Sequence, residues 1–215
     1  MRWFRGTGES SPATLVPGSK AVPRTVRRST GLGELMRALQ GRENLSVLDL
    51  GPTSAANISF LTSMGLGIYS EDMLRSTGNP DYLVTQEDGS RAIDPEKFFA
   101  ENLRHGESRF DAVFCWDVLD FLPESLVRST VDKLFFMTRP GGVLLAFFHT
   151  KDAGPDSPFY RYHIAGIDAL ELEPLSGFHL QRIFNNRHIE TLFQDFSSRK
   201  FFLSRDNIRE VLAVR

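Results

Sequence analysis

One cysteine, Cys115, excludes an internal disulfide and any cysteine-rich zinc site. Charge of one sign is not in excess either. Its 25 Lys and Arg against 27 Asp and Glu leave a formal net charge of −2, which gives no argument for a nucleic-acid partner over the whole chain. No apolar run reaches the roughly 18 to 20 residues that a membrane helix needs. Arg2 and Arg5 are not followed by an apolar segment of about 7 to 15 residues, as a secretory signal requires. The expectation is therefore a cytoplasmic protein without a membrane partner. His105, His149, His163, His179 and His188 are scattered without ligand spacing, so no metal site is expected. Tyr and Trp are scarce, at four and two, whereas 18 Phe point to aromatic core packing.

What is present is ordinary for a globular chain: 41% hydrophobic and 24% charged over 215 residues, enough for one larger domain or one domain with a tail. Residues 1–29 are rich in Ser, Gly, Pro, Thr and Arg with little periodicity and read as a flexible basic arm. In it Arg2, Arg5, Lys20, Arg24, Arg27 and Arg28 face only Glu9. A solvated tail is the simpler expectation, and binding to RNA, an acidic protein or a membrane surface the sharper one. Residues 30–215 read as a single folded domain.

That domain is organised around Val47-Leu48-Asp49-Leu50-Gly51-Pro52-Thr53-Ser54-Ala55-Ala56-Asn57. Val47, Leu48 and Leu50 make a short buried strand, ended by Gly51 and Pro52. Ser54 caps a helix carrying Ile58, Leu61 and Met64 at helical spacing, with Gly65 as its stop. A helix entered through such a turn aims its free N–H groups over the sheet edge, where an anion can be held. A second apolar stretch from Leu66 to Ser70 closes on Glu71-Asp72, placing acid where an α/β nucleotide site grips a ribose.

On these residues the chain resembles the class I S-adenosylmethionine (SAM)-dependent methyltransferases, which open with a V-L-D-L-G-x-G-x-G run, a helix, a Gly and a second strand ending in an acid. Val47 to Gly51, Gly65 and Asp72 match. Thr53 and Ala55 stand where the second and third glycines would let the backbone approach the methionine part of the cofactor. The resemblance implies a three-layer α/β/α Rossmann-like fold, with a seven-stranded, mostly parallel sheet and a C-terminal antiparallel hairpin. It implies SAM as cofactor, held by Asp49, Gly51, Thr53, Ser54, Asp72, Met73 and Asp117, with Gly51 and Ser54 at the methionine carboxylate, Asp72 at the ribose, and Met73 either against adenine or in the core. Asp94 stands for the acid that would touch the adenine amine.

A second match is Phe110-Asp111-Ala112-Val113-Phe114-Cys115-Trp116-Asp117-Val118-Leu119-Asp120-Phe121-Leu122, similar to the family's fourth strand and turn, F-D-x-V-x-x-x-D-V-L-E-H-L. The E-H pair is replaced by Asp120-Phe121. Asp117 is either a site residue beside the cofactor or a helix cap. Pro123 opens a helix that ends at Arg139-Pro140-Gly141-Gly142, matching the family's R/K-P-G-G turn, and Val143 to Phe148 form the next buried strand. His149 at its carboxyl end is the expected base. Between Ser157 and Ser176 two alternating stretches about Gly166 predict a hairpin: a substrate lid, a surface ribbon or the edge of a homodimer. The closing stretches Phe201–Leu203 and Val211–Val214 predict the terminal antiparallel pair.

The function implied is methyl transfer to a small-molecule or unidentified acceptor, with Asp117 and His149 as catalytic residues. The alternative is a methyltransferase-fold protein without catalysis that acts as a binding or assembly partner. No Asn/Asp-Pro-Pro-aromatic motif follows the fourth strand, against a nucleobase amino methyltransferase, and the glycine pattern does not support a nicotinamide dehydrogenase.

Overall fold

The computed structural model of the chain describes residues 24–150, 153–154, 156–204 and 206–215. Its strands are β1 (Thr25–Arg28), β2 (Ser46–Leu50), β3 (Gly67–Glu71), β4 (Leu83–Thr85), β5 (Arg91–Ile93), β6 (Phe110–Trp116), β7 (Thr138–His149), β8 (Phe159–Gly166), β9 (Ala169–Leu175), β10 (Ser198–Leu203) and β11 (Ile208–Val214). Its helices are α1 (Thr30–Leu39), α2 (Ala55–Ser63), α3 (Met73–Ser76), α4 (Pro95–Glu101), α5 (Val118–Phe121), α6 (Glu124–Met137) and α7 (Asn186–Leu192).

Six strands form the main sheet in the order β10-β11-β7-β6-β2-β3. β3, β2, β6 and β7 run parallel, and β11 returns antiparallel between β7 and β10. Every residue of β6 is buried, as a central parallel strand covered on both faces requires. One face packs on α1 and α2 through Leu32, Leu35, Leu39 and Leu61, and the other on α6 and α7 through Leu126, Val131, Leu134 and Ile189. These are the three layers the sequence implies, with the terminal antiparallel pair in place.

The sheet has six strands rather than seven. Leu83–Thr85 and Arg91–Ile93 pair with each other as the β4–β5 hairpin, closed by Gln86 N–H donating to the Ser90 carbonyl at 2.8 Å. Strands of three residues folded back on a polar turn satisfy their own backbone groups, so β3 remains the sheet edge.

A second sheet, ordered β1-β9-β8, is antiparallel throughout. Of the arm expected over 1–29, residues 1–23 lie outside the described residues, and Thr25–Arg28 pair with Ala169–Leu172. The folded body thus begins before residue 30. Arg27 explains why: it is buried against Phe147 and ion-pairs with Glu210 of β11, itself 1% exposed. Glu210 also accepts from the Ser29 hydroxyl at 3.0 Å and from Gly31 N–H at 2.6 Å. A Cβ at Gly31 would lie 2.7 Å from Leu145 and 2.9 Å from the Glu210 carboxylate, so only glycine lets α1 sit this close to the sheet. Gly142 is constrained similarly in the Arg139-Pro140-Gly141-Gly142 turn that begins β7, where a Cβ would meet the Arg139 carbonyl at 2.8 Å.

Candidate functional site

The carboxyl ends of β2, β6 and β7 meet under the β8–β9 hairpin, where open α/β sheets place their sites. Asp49 is buried there with three donors. The Thr53 hydroxyl bonds to it, Asn57 Nδ2 donates at 3.1 Å, and Trp116 Nε1 donates at 2.6 Å. Burial still raises its pKa, against the lowering effect of these bonds. Trp116 ends β6 at a register shift with φ of 48°, in the left-handed region. Its ring stacks at 4.9 Å and 8° on Tyr162 of β8 and at 5.0 Å on Phe114. A Cβ at Gly51 would lie 3.5 Å from this indole, so Trp116 rests on the turn itself.

Beside this stack lies a cluster of titratable groups. Asp117 is 0% exposed and stands at the N-cap position of α5, yet bonds no helix N–H. The Tyr162 hydroxyl is near it without closing a hydrogen bond, so both carboxyl oxygens of Asp117 are unpartnered. Burial pushes its pKa up to about 7, with Asp120 adding and the charge of His149 opposing. Asp120, also fully buried, accepts from His149 N–H at 2.6 Å and sits 2.9 Å from His149 Nδ1. Burial raises its pKa to about 6, with His149 opposing. For His149 burial works against the charged ring, but Asp120 and Asp117 outweigh it and raise its pKa. An ionised Asp120 holds the proton on Nδ1 and leaves the Nε2 lone pair free. His149 borders a cavity of about 260 Å³, shared with Tyr160 and Asp206.

The structure thus brings Asp49, Gly51, Thr53, Asp117 and His149 together. Ser54 caps α2 by accepting from Asn57 N–H at 3.2 Å. Thr53 and Ser54 border an open depression of about 600 Å³ with Arg24, Arg161, His163 and Glu173. Asp72 lies one residue beyond β3, half-buried, and caps α3 through one oxygen, accepting from Arg75 N–H at 3.2 Å. Met73 is fully buried in the core rather than lying at a surface. Asp94 caps α4 and is bonded to Glu96 N–H at 2.8 Å.

Sequence reasoning missed Asp120, Trp116, Tyr162 and Asn57. Asp120 had a signal in its spacing, three residues after Asp117 on a one-turn helix. Asn57 had none. It joins the sheet to the hairpin, donating to the Tyr162 carbonyl at 2.9 Å and accepting from Ile164 N–H at 2.7 Å. Among the described residues no group of three or more His, Cys, Asp and Glu could hold a metal ion, and no helix is long and apolar enough to cross a membrane.

No family model matches the chain, and no curated protein matches it. Many solved structures do. A SAM-dependent methyltransferase from Archaeoglobus fulgidus superposes with a TM-score of 0.51 at 9% identity, over 86% of this chain and 91% of that one. A SAM-dependent methyltransferase from Methanosarcina mazei gives a TM-score of 0.47 at 17% identity, over 81% and 93% of the two chains. A Burkholderia thailandensis 1,6-didemethyltoxoflavin-N1-methyltransferase with bound S-adenosylhomocysteine gives 0.46 at 14% identity, over 86% and 77%. At these identities the likeness speaks for the fold, and the argument rests on the first of the three together with the strand order. The chain has the α/β fold of the class I SAM-dependent methyltransferases.

Proposed function

We propose that this chain transfers a methyl group from SAM to a small-molecule acceptor, with His149 as the base and Asp120 as the group that positions it. The observation that carries the reading is the buried Asp120–His149 pair beside the unpartnered Asp117, at the carboxyl ends of the two central strands.

The buried polar atoms suit the cofactor's charge. Both oxygens of Asp117, Oδ1 of Asp120 and the Tyr162 hydroxyl have no partner, and three of these four are carboxyl oxygens. An unpartnered buried carboxyl is costly unless a cation or donor meets it. When bound, SAM supplies a methyl group on a positively charged sulfur that needs no further activation. Asp117 would lie beside that charge, Asp72 would hold the ribose hydroxyls through its free oxygen, and Gly51, Thr53 and Ser54 would border the methionine end. The Trp116–Tyr162 stack reaches from Asp49 to Asp117, so Tyr162 and the β8 strand that carries it must lift to admit the cofactor.

The chain's own work is then placement and proton removal. The acceptor enters the cavity at His149, whose Nε2 takes its proton while Asp120 fixes the ring and steadies the imidazolium. A second reading, a partner-binding protein on the same fold, is favoured by the Thr53–Asp49 bond and the aromatic stack, which together fill the turn.

Calorimetric titration with SAM and S-adenosylhomocysteine decides between them. Methyl transfer expects binding that Asp72→Ala weakens at least tenfold. No heat and no thermal shift at millimolar ligand would overturn it in favour of the second reading.

A further inference from the structure

A cavity of about 870 Å³ lies apart from the one at His149. It opens between the start of α7 and the β10–β11 turn, and lies within the roughly 300–1,000 Å³ typical of small-molecule sites. Three observations say what it would take. Its apolar surface comes from Phe184 together with Ile183 and Leu203, which stand 37% and 77% exposed and border it as unburied large hydrophobics. Its charge comes from Arg187 and Arg209, and no Asp or Glu is among the described residues that line it. Thr150 also lines it, 7% exposed, with a fully buried hydroxyl that has no hydrogen-bond partner.

A buried hydroxyl without a partner is unfavourable by about 1–3 kcal/mol until something bonds to it, and a rotation of the Thr150 side chain would turn it toward the cavity. Two guanidinium groups, with no acid among the described lining residues, favour an anion, and arginine's fork suits a carboxylate in particular. The exposed apolar side chains add a hydrophobic body to that anion. We infer that this cavity is a binding site for a small organic carboxylate with an aromatic or aliphatic body. The carboxylate lies against Arg187 and Arg209, a polar atom meets the Thr150 hydroxyl, and the body rests on Phe184, Ile183 and Leu203. The site adjoins His149 through Thr150, the next residue in the chain, and Asn207 borders both cavities. It does not depend on methyl transfer, since none of Asp117, Asp120 and His149 lines it, although the charge of Arg209 acts on Asp120 and lowers its pKa.

The test uses the full chain in low-salt buffer, with phenylacetate and its neutral counterpart phenylacetamide as probes, read by calorimetry and by ligand-observed NMR. Phenylacetate is expected to bind at least tenfold more tightly than the amide. Arg187→Gln, at an exposed position, is expected to reduce that preference at least threefold, and Thr150→Val to weaken both probes. The melting temperature of each variant confirms that it folds. Equal binding of the two probes, no binding of either at 10 mM (a concentration of roughly ten times the weakest useful Kd of 1 mM), or an Arg187→Gln variant that keeps the full preference would overturn the inference. A SAM titration run in parallel keeps this result separate from the methyl-transfer reading, because either can fail alone.

Discussion

Asp117 and Asp120 are both carboxyl groups at the end of one strand, and their surroundings give them different roles. Asp120 has His149 as a partner and is raised to about 6, so it is ionised at neutral pH; Asp117 has no partner and stays partly protonated up to about 7. Because the folded state holds the Asp117 proton more tightly than the unfolded chain, this group lowers stability as pH rises from about 4 to about 7, and the loss persists above that. Asp117→Asn removes the penalty. Its melting temperature should match the parent near pH 4 and exceed it by several degrees at pH 8, at about 2–4 °C per kcal/mol for a domain of this size. A parent that is as stable as the variant at pH 8 would contradict the buried, unpartnered carboxyl. Asp120→Asn tests the pair directly. With the carboxylate gone, burial weighs more, and the His149 ring followed by NMR should titrate at lower pH than in the parent. An unchanged titration would remove Asp120 from the positioning role.

At the scale of elements, the β8–β9 hairpin covers the carboxyl ends of the central strands. It is fastened to α2 by one side chain, since Asn57 reaches Asp49, the Tyr162 carbonyl and Ile164 N–H together. Two of these are backbone groups of β8 with no strand neighbour on that side, as β8 is an edge of its sheet. Asn57→Ala leaves them without partners and should cost about 2–6 kcal/mol, at about 1–3 kcal/mol for each buried group left unsatisfied. Hydrogen exchange would show where the loss falls. The amides of Phe159–Leu175 should exchange faster than in the parent while those of β6 stay protected. Uniform acceleration over all strands would mean that Asn57 supports the whole fold and not the hairpin in particular.

Across the whole molecule, the Arg27–Glu210 pair ties the second sheet to the main one. It joins β1, the start of α1 and β11, elements separated by up to 183 positions in the chain. Removing one partner of a buried pair is far more damaging than replacing both. Arg27→Met should therefore lower stability by about 3–5 kcal/mol. Adding Glu210→Gln should recover most of that, because the amide oxygen still accepts from Ser29 and Gly31 while the stranded charge is gone. Denaturant midpoints for the two single variants and the double variant measure this. Purely additive losses would show that the pair is not coupled.

Much of the fold is legible in the order of residues because it depends on local patterns. Val47–Leu50 and Ala112–Trp116 are apolar runs bounded by turn residues, Ser54 and Pro123 mark helix starts, and Phe201–Leu203 with Val211–Val214 closes the sheet. These signals act over a few residues, so the sequence determined the layer architecture, the terminal antiparallel pair, the β8–β9 hairpin and the placing of His149 at a strand end. Tertiary structure decided the rest, wherever a residue's role depends on partners far away in the chain. Residues 81–94 are hard to read locally, with Tyr82-Leu83-Val84 strand-like and Gln86–Ser90 turn-like, and whether a strand there pairs with β3 or with its neighbour depends on which option satisfies its backbone. Arg27 read as one more charge in an arm, and only the acid brought up by β11, 183 positions later, makes it a buried structural residue. Met73 could be read as lying against a ligand or in the core, and packing placed it in the core. His149 reads alone in the chain, whereas the bend after β6 brings Asp120 to its Nδ1, and the raised pKa of the ring exists only in that buried setting.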